Sequence, residues 1–482
     1  MVENDRKEIG YAKAQPTKEF FVRMLTRDIE LADAILDLLD NCLDGILRTT
    51  RKSMEENRPY EGFKAILKLS PHEFAIQDNC GGIPLETAKK YAFAMGRPSE
   101  VADDTPATIG MYGIGMKRAI FKLGTNAVVE SRYGDEDGFY VEFTPEWMIE
   151  EGWNDLTVYA LDSRQPEDPG TVIEVLELHE EAKKCFSDDD WIDGFRKTVA
   201  RHYALIIDKG FEVVIGTPEQ LGTDAAAIVP EPFALLRAMK ADDAGAAIEP
   251  FIYQGMIDNV KIELFAGLYR ELLTQEELEI EEETRGTRDD AGWTVACNDR
   301  VVIWKNKTRL TGWGEASVPN YHGQFIPITG IVLLYADDPR LLPLTTTKRG
   351  IDASSNVYSI AKDFMREATK SLTSFTNKWK NFPKQREILY RESKLSNLSD
   401  LRSMAQEVKM QKLHKVDSVK RYPPKLPVPA REKTDARISF LADKSEIETV
   451  SRYFFDEQKV SNEEIGKRSF KHALENAKAE AK

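Results

Sequence analysis

The stretch ELADAILDLLDNCLDGILR, residues 30–48, decides the fold class of this 482-residue chain. Successive helical residues lie about 100° apart, so its apolar side chains share one face of a predicted helix. The opposite face collects Asp33, Asp37, Asp40, Asn41 and Asp44. Oxygen ligands that point to one place suit Mg²⁺, although this helix alone is also compatible with a solvated acidic face.

A glycine-containing turn follows the next strand pair. In FAIQDNCGGIPLE, residues 74–86, Asp78 lies just after a predicted strand and two glycines precede a helix start at Pro84. A carboxylate at a strand end can accept hydrogen bonds from a buried amino group such as that of adenine. Alone, this pattern also fits an ordinary turn.

A second glycine cluster lies in ATIGMYGIGMKRAIFKLG, residues 107–124, where the glycines precede a predicted helix that opens with Lys117 and Arg118. Free backbone amides, a helix N-terminus and a lysine together can bind phosphate. A Walker A loop is excluded because Met116 precedes the lysine and Ala119 cannot bind magnesium. The dinucleotide-binding fingerprint is excluded because no strand of a βαβ unit precedes the glycines.

The three motifs in this order resemble the nucleotide-binding boxes of the GHKL superfamily. This superfamily includes gyrase B, the ninety-kilodalton heat-shock chaperone, histidine kinases and MutL, and MORC ATPases share its nucleotide fold. The resemblance implies an α/β fold: a Bergerat-type sandwich domain, a ribosomal-protein-S5-like α/β transducer domain and a mainly helical basic tail. It implies ATP and Mg²⁺ as ligands.

The resemblance also assigns roles by position. Asn41 resembles the Mg²⁺ ligand, Asp78 the carboxylate that reads adenine, and Thr171 in PGTVIEV a threonine that assists adenine recognition. A mobile lid is expected at about residues 95–117. The other nucleotide-binding positions implied are Gly82, Gly110, Tyr112, Gly113, Ile114, Gly115, Met116 and Lys117.

Two positions depart from the family pattern. Asp37 stands where the gyrase, MutL and chaperone branches carry a catalytic glutamate, so its carboxylate is one methylene shorter. General-base assistance is typically worth about 10²–10⁴-fold, so we expect slow turnover or binding without hydrolysis. Cys80 replaces the first glycine of the second motif, whereas Gly81 and Gly82 keep the turn flexible.

A distant lysine completes the predicted site. Lys348 lies in LPLTTTKRGID, residues 342–352, between a predicted strand and a long helix. In the gyrase, MutL and MORC-like branches a second domain lends a lysine to the γ-phosphate, and Lys348 has the matching order. GWTVACNDRVVI, residues 292–303, resembles a strand of MutL- and MORC-like transducers. Asp37 and Lys348 are therefore the predicted catalytic residues.

Composition and charge limit the remaining possibilities. The four cysteines show no CxxC or His-rich spacing, which argues against a disulfide framework or a zinc site. The polar N-terminus resembles no signal segment, so we expect a cytoplasmic protein without a membrane contact. Residues 377–482 carry 24 basic and 16 acidic side chains, and residues 1–376 carry 42 and 65. A contact with a polyanion is therefore expected in the C-terminal region, although basic helices are equally compatible with a solvated surface.

The predicted organisation is an N-terminal strap (1–28), an ATP-binding domain (29–185), a transducer domain (186–376) and a basic helical region (377–482), which a proline-rich linker at 423–429 divides. We expect a slow Mg-ATPase that acts as a nucleotide-gated homodimeric clamp or switch. Its client is DNA or an effector protein in a repair, DNA-handling or phage-defence module. The alternative is a nucleotide-binding interaction or chaperone-like protein with little hydrolysis. A histidine kinase is disfavoured because no phosphoacceptor helix precedes the domain.

Overall fold

The described part of the chain forms two compact units, Met1–Pro429 and Ala430–Lys482. The structure is a computed structural model that describes residues 9, 16–51, 56–96, 113–161, 166–223, 225–238, 246–273, 277, 290–345, 348, 350–391, 393–413, 416–430, 438–456 and 460–480. Among the helices in these ranges, none combines the length and the apolar character that crossing a membrane requires. The boundaries expected after residues 28, 185 and 376 stay predictions.

The strands of the first unit are numbered in chain order. They are β1 (Lys64–Leu69), β2 (Phe74–Asp78), β3 (Gly124–Arg132), β4 (Phe139–Phe143), β5 (Val158–Ala160), β6 (Gly170–Leu178), β7 (Glu212–Gly216), β8 (Ala234–Ala238), β9 (Phe251–Ile257), β10 (Val260–Leu268), β11 (Gly292–Cys297), β12 (Arg300–Asn306), β13 (Ile328–Tyr335), β14 (Ser393–Asn397), β15 (Gln411–Leu413) and β16 (Val416–Tyr422).

The helices of the first unit lie between these strands. Their bounds are Lys18–Arg27, Leu31–Thr50, Leu85–Thr87, Gly115–Leu123, Pro145–Ile149, Glu180–Phe186, Asp189–His202, Ala204–Asp208, Pro218–Leu221, Asn356–Trp379, Pro383–Tyr390 and Leu398–Glu407. Short irregular helices lie at Ala88–Ala92, Arg309–Thr311, Gly323–Phe325 and Pro339–Leu341. We call Leu31–Thr50 the acidic helix and Gly115–Leu123 the glycine-loop helix.

The first sheet has the strand order β5-β4-β3-β6-β2-β1-β7. Its strands pair antiparallel except for β1 and β7, which are parallel. The apolar face of the acidic helix, including Ile35, Leu39 and Ile46, is buried in one core with residues of these strands. The predicted α/β sandwich is confirmed, because apolar periodicity of 3.6 residues in the helices and near 2 in the strands buries one face of each element.

The second sheet has the order β12-β11-β13-β10-β9-β16-β15. The long helix Asn356–Trp379 packs into one core with this sheet through residues such as Phe364, Met365 and Leu372. Leu401 and Met404 of the helix Leu398–Glu407 belong to a separate core that also contains residues of β10 and β13. Helices therefore supply apolar residues to two distinct cores of this sheet.

The C-terminal region adds strands as well as helices. β16 pairs antiparallel with β9, and β14 pairs antiparallel with β8. The proline-rich segment also packs on the first unit, because the indole of Trp379 donates to the Pro427 carbonyl at 2.9 Å. Residues as far as this segment therefore belong to the first unit.

The second unit is built from the helices Lys444–Phe455 and Asn462–Glu480. Asp443 caps the first of them: its side chain accepts from the Ser445 amide, and a capping box with Glu446 completes the turn. The imidazole of His472 lies against the rings of Tyr453 and Phe454, which joins the two helices.

Candidate functional site

The acidic helix, the turn after β2 and the glycine-loop helix surround one cavity. Its lining includes these predicted site residues: Asp37, Asn41, Asp78, Gly82, Gly113, Ile114, Gly115, Met116, Lys117, Thr171 and Lys348. Gly110 and Tyr112 lie outside the described residues, as does most of the predicted lid. Residues that are far apart in the sequence are thus brought together in one place.

One end of the cavity is formed by Asp78 and Thr171. Asp78 Oδ1 accepts from the Cys80 amide at 2.7 Å, and Oδ2 lies 3.5 Å from the Cys42 thiol, a weak donor. Burial raises the pKa of Asp78 to about 6, against the opposing effect of hydrogen bonds from Cys80, Cys42 and the Thr171 backbone. The carboxylate of Asp78 is thus a hydrogen-bond acceptor among the residues that line the cavity.

Glycine is required in the turn that follows Asp78. Gly82 has φ +69°, and a Cβ atom there would lie 2.0 Å from the Arg132 carbonyl oxygen. Any larger residue would clash with β3. The carbonyl of Gly82 accepts from the Arg48 guanidinium at 2.6 Å, which ties this turn to the acidic helix.

The opposite end of the cavity is formed by the glycine-loop helix. Gly113, with φ +65°, precedes the helix N-terminus, where the free backbone amides of the first turn lie beside the cavity. The Lys117 ammonium donates to the carbonyls of Ala92 and Gly113, and burial lowers the pKa of Lys117 to about 8. This end has the donors and the positive helix end that an anion requires.

Two acids of the acidic helix are buried and form ion pairs, so the solvated-face alternative fails for them. Arg118 forms a buried salt bridge with Asp37. The ammonium of Lys348 lies 3.5 Å from Asp37 Oδ1 and 2.9 Å from Asp40 Oδ2. The carboxylates of Asp40 and Asp37 raise the pKa of Lys348, although burial acts in the opposite direction.

Asp40 also contacts the side chains of two residues that follow β6 in the chain. Arg300 Nε donates to Asp40 Oδ1 at 3.0 Å, and the Tyr203 hydroxyl donates to the same oxygen at 2.5 Å. Burial alone would raise the pKa of Asp40, but the charges of Lys348 and Arg300 lower it to about 2. The acid is therefore ionised wherever the protein is folded near neutral pH.

In the segment NDR, residues 298–300, Asn298 and Asp299 form the turn between β11 and β12, and Arg300 begins β12. Asn298 and Asp299 both have positive φ, and Asp299 accepts two hydrogen bonds from Lys209 at 2.7 and 2.8 Å. The Tyr60 hydroxyl donates to the same carboxylate at 3.2 Å. Through these contacts and the Arg300–Asp40 pair, the start of β12 joins the second sheet to residues that precede it in the chain.

Sequence reasoning missed Arg48, Arg118, Tyr203 and Arg300. The sequence did contain an indication for Arg300, because the charged residues Asp299 and Arg300 interrupt the mostly apolar run from Trp293 to Ile303. Arg118 was visible as the neighbour of Lys117, but nothing in the spacing identified Asp37 as its partner.

The first sheet and its helices form an α/β sandwich whose cavity is lined by the predicted site residues. Residues 29–167 match the family model described as histidine kinase-, DNA gyrase B- and HSP90-like ATPase. The chain therefore carries an ATPase domain of the GHKL superfamily, which supports ATP binding. No curated protein matches the chain. The MutL- or MORC-like branch and the transducer domain stay predictions.

Proposed function

We propose that this protein is a Mg-ATP-dependent conformational switch with slow ATPase activity. The contact between Lys348 and the acids of the acidic helix carries the proposal. Lys348 follows β13 of the second sheet, lines the cavity and is buried, yet it is joined to Asp37 and Asp40 on the first sheet's helix. A ligand that changes the partners of Lys348 therefore acts on both the first and the second sheet.

The residues at the two ends of the cavity fit ATP. Asp78 Oδ2 accepts a hydrogen bond from the amino group of adenine, and Thr171 lies beside it. The amides at the start of the glycine-loop helix and the Lys117 ammonium bind the phosphates. The exposed Asn41 side chain offers an amide oxygen to Mg²⁺, which neutralises phosphate charge when bound.

Lys348 is the proposed sensor of the γ-phosphate. In the structure its ammonium is neutralised by two carboxylates, and a γ-phosphate supplies an alternative anionic partner. ADP lacks that group and leaves the lysine with the acids. ATP and ADP therefore favour different positions of the loop that carries Lys348, and a switch from mostly open to mostly closed needs about 5.5 kcal/mol of differential binding.

Asp37 is the proposed general base for the attacking water in the reaction of ATP and water to ADP and phosphate. Its carboxylate is engaged by Arg118 and faces Lys348. The carboxylate must separate from these cations before it can contact the attacking water, so we infer that turnover is slow. Departure of Lys348 towards the γ-phosphate removes one of the two cations.

We further propose that ATP gates a homodimer through the N-terminal strap, residues 1–28. In the described part of the strap, Lys18 donates to the Trp147 carbonyl at 2.5 Å and lies over the Trp147 ring. The proposed dimer forms when the strap exchanges this contact within one chain for the same contact with a partner chain. The client is DNA or an effector protein bound by the basic C-terminal region.

The test is the mass of the full chain by light scattering, with Mg²⁺ and no nucleotide, ADP or a non-hydrolysable ATP analogue. We expect a dimer with the analogue alone. One mass under all three conditions contradicts the nucleotide-gated dimer. Binding to a DNA duplex that weakens steeply with salt identifies DNA as the client, because phosphate contacts release counterions.

The second candidate is a nucleotide-binding interaction or chaperone-like protein with little hydrolysis. The Asp37–Arg118 ion pair favours this candidate, because the pair occupies the carboxylate that we assign as the general base. Asp37→Asn separates the two candidates: an ATPase retains binding and loses turnover, whereas a binding protein has no turnover to lose.

A further inference from the structure

Two cysteines and an aspartate meet at the adenine end of the cavity. The thiols of Cys42 and Cys80 and a carboxylate oxygen of Asp78 all lie within 4.8 Å of one another. All three residues line the cavity. The cysteines are 38 positions apart in the chain, so the absence of CxxC spacing, from which we expected no zinc site, did not reveal this cluster.

The packing of the acidic helix creates the cluster. A Cβ atom on Gly45 would lie 2.5 Å from the Cys80 carbonyl oxygen, so the helix and the turn approach to backbone contact. Cys42 is one turn before Gly45 and faces the same loop. Because both Cys42 and Cys80 are buried, their positions are fixed by the core.

The dimensions fit a tetrahedral ion with sulfur and oxygen ligands. Zinc binds thiolates at about 2.3 Å and carboxylate oxygens at about 2.0–2.2 Å, so a tetrahedron has an S···O edge of about 3.5 Å and an S···S edge of about 3.8 Å. The Cys42 thiol and Asp78 Oδ2 are 3.5 Å apart. The other two edges lie within 4.8 Å, so they need to shorten by no more than about 1.3 Å to enclose an ion.

The ligand types select a soft ion at this end. Thiolates favour Zn²⁺, whereas Mg²⁺ requires oxygen ligands and stays at the Asn41 end. Coordination converts each bound thiol to a thiolate and releases its proton, so one Zn²⁺ displaces two protons. The fourth position faces the cavity and takes water.

We propose that Cys42, Cys80 and Asp78 form a three-ligand site for a soft divalent cation of the zinc type, and that this cation displaces adenine from Asp78. The first half stands on the geometry alone. The second half rests on the proposed function, because it requires adenine to use the same carboxylate. Zinc then inhibits the protein by competing with ATP.

Co²⁺ alone tests the site in the reduced full chain, without nucleotide, because thiolate ligands give cobalt an intense near-ultraviolet charge-transfer band. We expect the band at one Co²⁺ per chain and its displacement by Zn²⁺. Cys80→Gly introduces the glycine that the family pattern has at this position, and we expect it to abolish the band. Cys185→Ser, outside the cluster, retains it as the matched control.

Absence of the band, or its persistence in Cys80→Gly, overturns the site. Cys42→Ser repeats the test if Cys80→Gly does not fold, as judged by circular dichroism. For the competition, a fluorescent ATP analogue in excess Mg²⁺ is titrated with and without Zn²⁺. We expect Zn²⁺ to raise the apparent Kd at least tenfold in the unmodified chain and in Cys185→Ser, and to leave it unchanged in Cys80→Gly.

The outcomes for the two proposals are distinct. A cobalt band without any binding of the analogue supports the metal site and contradicts the proposed function. Analogue binding that Zn²⁺ affects equally in all variants overturns the competition, because the effect then arises from zinc on the nucleotide itself.

Discussion

The Lys348 ammonium lies 2.9 Å from Asp40 Oδ2, across 308 positions of the chain. Asp40 also binds Arg300, and the neighbouring Asp37 binds Arg118. The five side chains form a continuous buried row of alternating charge. Because Asp37 and Lys348 line the cavity and Arg300 begins β12, the row connects the cavity to the second sheet.

Lys348→Met should destabilise the protein by about 3–5 kcal/mol, because it leaves buried carboxylates without one of their cations. It should also reduce the preference for an ATP analogue over ADP about tenfold or more, since a hydrogen bond to a charged group is worth about 1.5–3 kcal/mol. Denaturant unfolding and paired binding titrations measure the two effects.

The matched control is Lys362→Met, which removes a lysine paired with Glu315 at 2.8 Å nearer the surface. Its stability effect should be below about 1 kcal/mol, with no change in nucleotide preference. Equal ATP preference in Lys348→Met and the unmodified chain would show that Lys348 does not sense the γ-phosphate.

Asp37→Asn should retain analogue binding and lower turnover about 10²–10⁴-fold, because an amide cannot accept the proton of the attacking water. Phosphate release under saturating ATP measures it. Asp33→Asn, on the same helix but outside the cavity lining, should keep its turnover. Full activity in Asp37→Asn refutes the assignment of the base.

Asn41→Ala should abolish the Mg²⁺ dependence of analogue binding, since the amide oxygen is the proposed protein ligand of the ion. Calorimetric titration with Mg²⁺ and with a chelator measures this, and the exposed Asn154→Ala serves as the control. Mg²⁺-dependent binding that survives Asn41→Ala would show that the pocket has been assigned incorrectly.

Nucleotide affinity should be highest between about pH 6 and pH 8. Below this range Asp78, whose pKa burial raises to about 6, takes up a proton and loses acceptor capacity for adenine. Above it Lys117, whose pKa burial lowers to about 8, loses the charge that binds phosphate. Adenosine has no phosphate, so its affinity should fall only on the acid side.

The raised pKa of Asp78 also makes the stability of the fold depend on pH. A carboxyl whose folded-state pKa is raised stabilises the fold below its unfolded value near 3.8, and this contribution disappears as pH rises through about 6. Asp78→Asn should therefore flatten the pH dependence of unfolding between these values. An unchanged dependence would show that Asp78 is already ionised at low pH.

Local patterns predicted the other strands of the first sheet, but β7, which pairs with β1, lies in the range predicted as the transducer domain. The predicted site residues that the structure describes line one cavity. The helical period placed the acidic helix, and the turns around Gly82 and Gly113 followed from residue type. The ion pairs did not follow, because Asp40 and Arg300 meet only after the chain has formed both sheets. β16 was also missed, because VDSVKRY carries charges that are equally typical of a solvated helix.

β6 has a further consequence. It lies between β3 and β2 in the first sheet and begins at Gly170, beyond the last residue that matches the family model. β7, which pairs with β1, ends at Gly216. A fragment cut at residue 167 would thus lack an inner strand and an edge strand, so the range that matches the family model is shorter than the sheet to which it belongs. An expression fragment of the ATPase domain has to reach Gly216.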